Sequence, residues 1–183
     1  MRTLRTKKIY LLLTCASLFL IITENIFAAD FKAGFSRQDI TPTEPVRLSG
    51  YGNRTEPFER VDEKIYVRTI ALRQGDKPIH ILSSVEGIGL AGLITKQIAE
   101  RLDQEFGISR ERFALANSHS HTAPHTSAGI PNLFAAPLSE AETAAMDRYT
   151  QYIEDQLVLS VKEAIANLAP AKLSWGEEFP ASR

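Results

Sequence analysis

The sequence predicts an α/β fold, a layered β-sheet domain flanked by amphipathic helices. Two observations predict it. Short segments are rich in β-branched residues, and two long segments carry apolar residues every three or four positions. Their order is one strand, a hairpin, a helix, a strand, a helix and a last strand, which is typical of helices packed on a sheet. No internal repeat or interdomain linker interrupts them, so we expect one domain.

The first 28 residues are predicted to be a signal peptide and no part of the fold. Basic residues at positions 2, 5, 7 and 8 precede an apolar run over residues 9–22, which is short for a bilayer span. Ala28 offers a small residue at a cleavage point. The alternative is a retained membrane anchor. We therefore expect an exported protein, secreted or periplasmic, with its domain over residues 29–183.

Charge and cysteine content exclude some functions. The chain has 21 basic and 22 acidic residues, and a mildly acidic domain without basic runs argues against nucleic-acid binding. Cys15 is the only cysteine and lies in the predicted signal peptide. The mature domain is therefore expected to have no disulfide and no thiolate ligand. Any metal would have to be held by histidine, carboxylate, tyrosine or water.

Three strands are predicted in the first half of the domain. The first covers residues 31–40 and ends before Pro42, which cannot continue a ladder. A loop rich in Gly and Pro follows. Residues 64–73 and 79–85 are strands on either side of a turn, so they are predicted to form a hairpin.

A helix and a short strand are predicted next. The helix covers residues 91–106, and Gly107 stands where a left-handed C-terminal cap is favoured. Apolar residues at four-residue spacing form its buried stripe: Ile94, Ile98 and Leu102. Residues 112–117 form the strand.

The second helix has the clearest signals. Ser139 and Glu142 have the spacing of a capping box, and apolar residues then step at threes and fours to Leu168. Pro170 stops the helix, and a last strand is predicted from residue 172 to 176. We expect each helix to cover a sheet face with its apolar side and to expose its other side to solvent.

The chemistry is concentrated in His119-Ser120-His121, which follows the short strand directly. On an extended backbone, residues two apart point to the same side, about 7 Å apart, so both imidazoles can converge on one point. Binding crevices of α/β sheets open at strand ends, and neutral imidazole suits Zn²⁺. We expect both residues in a crevice at the C-terminal end of a central strand, with His80 elsewhere.

Other interpretations of this pair remain open. A His-x-His pair also occurs as surface or core histidines in a loop. Metallo-β-lactamase-type proteins have His-x-His-x-Asp-His, but here Ala123 stands in the Asp position and His125 comes one place late. A domain of this length cannot close an eight-stranded barrel of the amidohydrolase type. His125 is equally compatible with a solvated and a functional position.

The segment from His119 to Pro124 resembles the His-Thr-His-Ser-Gly/Ala-Pro motif of the neutral/alkaline non-lysosomal ceramidase family. Order and spacing agree from about residue 31 to the end of the chain. The other matching segments are Gly34 to Pro42, which resembles the opening Gly-x-x-x-x-Asp-Ile-Thr; Leu48-Ser49-Gly50-Tyr51, which looks like Met-x-Gly-Tyr; Ile65-Tyr66-Val67-Arg68 in the first long strand; and Leu173-Ser174-Trp175-Gly176-Glu177 after the long helix.

The resemblance implies a layered α/β domain, with two β-sheets between helices, and a zinc-dependent hydrolase that cleaves N-acylsphingosine to a fatty acid and sphingosine. By motif, His119 would be a zinc ligand and His121 the catalytic histidine beside the metal-bound water. Zinc lowers the pKa of its water to about 7, and a nearby histidine can pass a proton to the leaving amine. The implied partner is a lipid-like amide at a membrane surface, and no protein partner is inferable.

The chain departs from the family pattern in ways that set two further expectations. Asp62 stands where many members have His, and Glu86 where they have Asp. The family's second His ligand, its Glu and Tyr ligands and its catalytic serine would follow residue 183. Residues 29–183 are therefore expected to be the N-terminal part of the domain and inactive alone. The alternatives are an exported non-catalytic binding module of this fold and a hydrolase of a different ester or amide.

Overall fold

The computed structural model describes residues 30–129, 136–174 and 176. The predicted signal peptide over residues 1–28 and Trp175 of the predicted last strand lie outside the described residues. The described elements are β1 (Phe31–Asp39), β2 (Tyr66–Gln74), β3 (His80–Val85), α1 (Gly92–Phe106), a short 3₁₀ turn (Arg110–Arg112), β4 (Phe113–Asn117), α2 (Glu140–Ala166) and β5 (Ala169–Pro170).

The strands form one five-stranded sheet in the order β4-β3-β2-β1-β5. Strands β1, β2 and β3 pair antiparallel, so the predicted hairpin is confirmed. Strand β4 returns through α1 and pairs parallel with β3. The α/β fold class is therefore confirmed, and Asn117 at the end of β4 lies beside Val85 at the end of β3.

One face of the sheet carries the core. Along β2 and β3, alternate residues are buried, as the strand period requires. The predicted stripe of α1 is buried against the same core cluster. Gly107 adopts the left-handed conformation at the end of α1, with φ of 64°, as its position predicted. Burial of these apolar side chains is the main force that holds helices to sheet.

Helix α2 packs closely on β1 and begins with the predicted capping box. The Ser139 hydroxyl accepts the Glu142 N–H at 3.2 Å, and a Glu142 carboxylate oxygen accepts the Ser139 N–H at 2.8 Å. Further along, a Cβ placed on Gly34 would lie 2.0 Å from the carbonyl oxygen of Ala164. Only glycine permits this spacing between helix and strand.

Buried hydroxyls extend that contact across the sheet. The Ser36 hydroxyl donates to the Ser160 carbonyl at 2.6 Å, and the Ser160 hydroxyl donates to Thr69 Oγ1 at 2.8 Å. Thr69 Oγ1 in turn lies 2.9 Å from Ser83 Oγ. Each of these buried polar groups therefore has a partner, which removes the cost of burying it.

Both helices contribute to one core and cover the same face of the sheet, while Phe35 (62% exposed) and Leu82 (46% exposed) lie on the other. Two expectations about arrangement are wrong. Strand β4 is at the edge of the described sheet and not in its centre. Residues 172–174 are in no strand, because the chain pairs with β1 earlier, at Ala169 and Pro170.

Neither helix in the part of the chain that the structure describes combines the length and the apolar character that a membrane span needs.

Candidate functional site

The two candidate histidines lie in the histidine segment, defined as residues 118–125, which leaves β4 at its C-terminal end. The N–H groups of Ser118 and Ser120 donate to the carbonyls of Val85 and Gly87, at 3.0 and 3.1 Å. The segment therefore continues to pair beyond the two strands. His119 has a φ of 58°, in the left-handed region that non-glycine residues rarely adopt.

The imidazoles of His119 and His121 meet, as predicted, but not for the predicted reason. Their ring centroids are 5.0 Å apart and their planes make an angle of 67°. The backbone between them is not extended, because His119 is left-handed. The rings are brought together by a turn of the chain and not by the alternation of a strand.

A backbone carbonyl fixes the proton on His119. Its Nδ1 atom lies 2.9 Å from the carbonyl oxygen of Ile88. A carbonyl oxygen can only accept a hydrogen bond, so Nδ1 must carry the proton. In the neutral ring, Nε2 then keeps its lone pair and is the nitrogen available to a ligand.

This arrangement fits part of a zinc site. Metal-ligating histidines commonly donate their second nitrogen to a carbonyl or carboxylate, as His119 does to Ile88. The described residues contain no group of three or more His, Cys, Asp or Glu side chains placed to hold a metal. A catalytic zinc typically has three protein ligands, so they supply only some of the donors.

Glu86 and Asp62, the two acidic residues that depart from the family pattern, form local hydrogen bonds and ion pairs. The carboxylate of Glu86 accepts hydrogen bonds from the N–H of Tyr66, at 2.8 Å, and from the guanidinium of Arg68. Asp62 is exposed and pairs with Arg60 at 2.7 Å. Both carboxylates therefore serve local hydrogen bonds and ion pairs.

The ring of His121 sits in a slot formed by Gly50 and Tyr51. Gly50 has a φ of 101°, and a Cβ placed on it would lie 2.5 Å from Cγ of His121. Tyr51 presents its ring edge-on to His121 at a centroid distance of 5.2 Å. These residues belong to the Leu48–Tyr51 match, so the sequence indicated the loop but not its contact with His121.

Arg54 joins this slot to the histidine segment. Its Nη1 atom donates to the carbonyl of Ser49 at 3.0 Å and to the carbonyl of His121. Its guanidinium carbon lies 4.7 Å from the centroid of the Tyr51 ring, within range of a cation–π interaction. Arg54 was not among the predicted site residues, because locally it resembles any other loop arginine.

A short stretch of backbone pairing supports the same loop. Leu48 bridges Pro124, and the Ser49 N–H donates to the Ala123 carbonyl at 3.3 Å. The N–H of His125 donates to the carbonyl of Arg47 at 3.0 Å. We call residues 47–54 the Arg54 loop. It lies alongside the histidine segment and is held to it by main-chain hydrogen bonds.

The core anchors the Arg54 loop through Arg47. This side chain is 3% exposed and donates from Nε to Glu142 Oε1 at 3.0 Å, and from Nη1 to the Arg54 carbonyl at 3.1 Å. Hydrogen bonds from the Ser139 N–H and then from Arg47 lower the pKa of Glu142 to about 2. The start of α2 is therefore connected, through two arginines, to His121.

The described cleft is not on the side of the histidine rings. A cleft of about 800 Å³ is lined by Ser118, Ser120 and Thr122 of the histidine segment, but His119 and His121 are not among its lining residues. This cleft is therefore not the crevice expected around the two rings, and their placement in a crevice stays a prediction. The hydroxyl-bearing residues that alternate with the histidines face the cleft.

The other two histidines are separate from this pair. His80 is exposed and pairs with Leu72 at the far end of β3, as expected from the strand pattern. His125 is 4% exposed, and burial lowers the pKa of its imidazole. A solvated position for His125 is therefore wrong.

Comparison with known proteins supports the fold and not a family assignment. No family model matches the chain, and no curated protein matches it in sequence. The solved structure of neutral ceramidase from Pseudomonas aeruginosa is similar, with a TM-score of 0.64 and 17% identity over 78% of this chain. A ceramidase complexed with C2 is similar too, with a TM-score of 0.62, 17% identity and the same 78% coverage of this chain. The chain spans 22% of the length of each ceramidase.

Proposed function

We propose that this chain supplies the histidine part of the active site of a zinc-dependent, ceramidase-like hydrolase of N-acyl amides. In this proposal His119 is a zinc ligand and His121 is the catalytic histidine. The observation that carries it is the meeting of the two imidazoles at 5.0 Å, with Nδ1 of His119 committed to the Ile88 carbonyl. The similarity of the fold to neutral ceramidase supports the class of reaction.

The two histidines would divide the work. Bound zinc supplies a water of lowered pKa and polarises the amide carbonyl. His119 would hold the metal through Nε2, and the Ile88 carbonyl would keep its ring oriented. His121 would take a proton from the attacking water on its unprotonated ring nitrogen and deliver it to the nitrogen of the leaving amine. Both roles require the rings of His119 and His121 to keep their present distance and orientation.

The described residues supply too few donors for a catalytic zinc, which typically has three protein ligands. They offer two meeting imidazoles and no group of three or more His, Cys, Asp or Glu side chains placed to hold a metal. Because the resemblance implies that the family's other ligands follow residue 183, we propose that the 183-residue chain alone hydrolyses no amide. The substrate would be a lipid-like amide at a membrane surface, and export would depend on the predicted signal peptide over residues 1–28.

The test measures zinc content and turnover separately in the complete gene product. His119→Ala is expected to abolish zinc binding, whereas His121→Ala should keep zinc and lose hydrolysis of a fluorescent N-acylsphingosine. His80→Ala, on the far end of β3, is the matched control and should change neither. Zinc retained in His119→Ala would contradict the ligand assignment. Turnover of a simple ester but not of the N-acylsphingosine would favour a different hydrolase, and lipid binding without turnover a binding module.

Chelator-sensitive turnover by the 183-residue chain alone would show that the site is complete within it. The proposed division of roles would then be wrong, because more of the zinc donors would have to lie in this chain. Mass spectrometry of the exported protein tests the predicted signal peptide. A mature N-terminus at Met1 would contradict it.

A further inference from the structure

We infer that Arg54 is a positioning residue, which holds the imidazole of His121 in place through Tyr51 and the backbone. The inference deepens the proposed function and rests on it, since the held ring is the proposed catalytic histidine. Arg54 also lines the described cleft, on the side of Ser118, Ser120 and Thr122. Its grounds are three contacts of the Arg54 guanidinium and one hydrogen bond accepted by the Arg54 carbonyl.

The first ground is that Arg54 bridges two loops. A single guanidinium nitrogen donates to the carbonyl of Ser49, in the Arg54 loop, and to that of His121, in the histidine segment. Hydrogen bonds from a charged donor are stronger than those between neutral groups. The backbone of His121 is therefore fixed relative to the residues that form its slot.

The second ground is that the same guanidinium orients the ring that contacts His121. The guanidinium carbon lies 4.7 Å from the centroid of Tyr51, and Tyr51 stands edge-on to His121 at 5.2 Å and 72°. Gly50 makes room for the His121 ring because it has no side chain. A Cβ at this position would lie 2.5 Å from His121 Cγ. Backbone and ring of His121 are thus both constrained, and Arg54 takes part in each constraint.

The third ground is that Arg54 is itself anchored. Its carbonyl accepts a hydrogen bond from Nη1 of Arg47 at 3.1 Å. Arg47 is 3% exposed and pairs with Glu142 at the start of α2. A residue held by the buried core can transmit rigidity to the loop that it contacts, whereas a residue paired only with its neighbours cannot.

Arg60 provides the contrast within the same stretch of chain. Its side chain is 81% exposed and pairs with Asp62, which is itself 73% exposed and only two positions away. Arg60 contacts neither Tyr51 nor the histidine segment in any described hydrogen bond or ring contact. Replacing Arg60 removes the same charge without touching the slot, so it is the matched control.

The main experiment observes the slot directly and needs neither metal nor turnover. In the 183-residue chain, nuclear Overhauser contacts between the ring protons of Tyr51 and His121 are measured by NMR. Arg54→Ala is expected to lose these contacts, and Arg60→Ala to keep them. Arg54→Lys is expected to lose them too, because an ammonium cannot stack flat on the ring while bridging two carbonyls. If Arg54→Ala does not fold, Arg54→Lys decides.

Retained contacts in a folded Arg54→Ala or Arg54→Lys variant would overturn the inference, as would equal loss in Arg60→Ala. The second measurement is turnover by the complete gene product. There Arg54→Ala should lower kcat by about 10–100-fold with KM little changed, as for losses of supporting residues around a site. If the wild type hydrolyses amides and Arg54→Ala does so equally well, the inference fails and the proposed function stands. If the wild type shows no hydrolysis, the proposed function fails, and the ring contacts still decide whether Arg54 holds His121.

Discussion

Beneath α2, the sheet is held by close packing, whereas the histidine segment is held by main-chain hydrogen bonds and by one hydrogen bond from the Arg54 side chain. Gly34 and Gly50 show the difference, because neither has room for a Cβ. At Gly34 the obstacle is the main chain of α2, at 2.0 Å, and at Gly50 it is the side chain of His121, at 2.5 Å. Crowding at Gly34 therefore opposes folding itself, whereas crowding at Gly50 displaces one imidazole. We expect stability and site geometry to be separable by mutation.

The largest expected effect is on stability, at Gly34. Gly34→Ala forces the backbone of β1 away from the Ala164 carbonyl and should lower the free energy of unfolding by about 3 kcal/mol, as severe overpacking does. Urea denaturation measures it. Gly92→Ala is the control, because no atom lies within 4 Å of its added Cβ, and its stability should be unchanged or slightly raised. An unchanged midpoint for Gly34→Ala would show that α2 can shift away freely.

Gly50→Ala should affect the site more than the fold. Its φ of 101° strains any side chain, and the added methyl would collide with His121, so we expect a loss of about 1–3 kcal/mol and a displaced imidazole. Histidine NMR spectra and urea denaturation check both parts. Gly52→Ala, with open space around its Cβ, should leave the spectra unchanged. A His121 signal that does not move in Gly50→Ala would contradict the slot.

Acid should weaken the connection between the two regions. Hydrogen bonds from Ser139 and Arg47 lower the pKa of Glu142 to about 2 from its usual 4.5. A lowered folded-state pKa means that stability is fully present above pH 4.5 and is lost as the pH falls towards 2. Glu142→Gln should therefore show a shallower acid loss of stability between these values. Asp39 has a pKa of about 2, held down first by Lys64, and will still contribute.

Denaturation at several pH values measures this dependence. Glu140→Gln is the control, since Glu140 forms no described ion pair or side-chain hydrogen bond, and its acid limb should match that of the wild type. If the acid dependence of Glu142→Gln also matches that of the wild type, the ionised carboxylate of Glu142 does not stabilise the contact between α2 and the Arg54 loop.

The smallest expected effect is at Arg60. Its ion pair with Asp62 joins two side chains that are 81% and 73% exposed, and such pairs contribute about 0–1 kcal/mol. Arg60→Ala should leave the denaturation midpoint within error and the histidine spectra unchanged. A change comparable to that of Arg54→Ala would show that loss of positive charge, and not the specific contacts of Arg54, governs the site.

Local signals in the sequence predicted most of the elements. The stripe of α1, Gly107 and the Ser139–Glu142 capping box depend on residues within one helix and were all correct. The edge position of β4 and the common face of both helices depend on which distant surfaces meet, and spacing along one segment does not encode that. In the sequence, Pro170 indicates the end of a helix, which predicts a strand only from Lys172 onwards, although Pro170 itself pairs with Lys32.

The sequence indicates the histidine pair of the candidate site but not the residues that hold the pair in position. A rare pair after a short strand is visible in the sequence, but the left-handed turn at His119 that brings the rings together is not. Arg54, Arg47 and Arg60 look alike in a loop. Only the folded chain shows that the first bridges two loops, the second is buried and the third is solvated.

The bond from Arg54 to His121 also has a consequence for the order of folding. It joins residues 67 positions apart, and the pair of Arg47 with Glu142 joins residues 95 positions apart. The β2–β3 hairpin, by contrast, closes over a short turn. Contacts between distant residues form late, because closing a long loop costs entropy before any contact repays it. We expect the β2–β3 hairpin to form early and the slot around His121 to close after it.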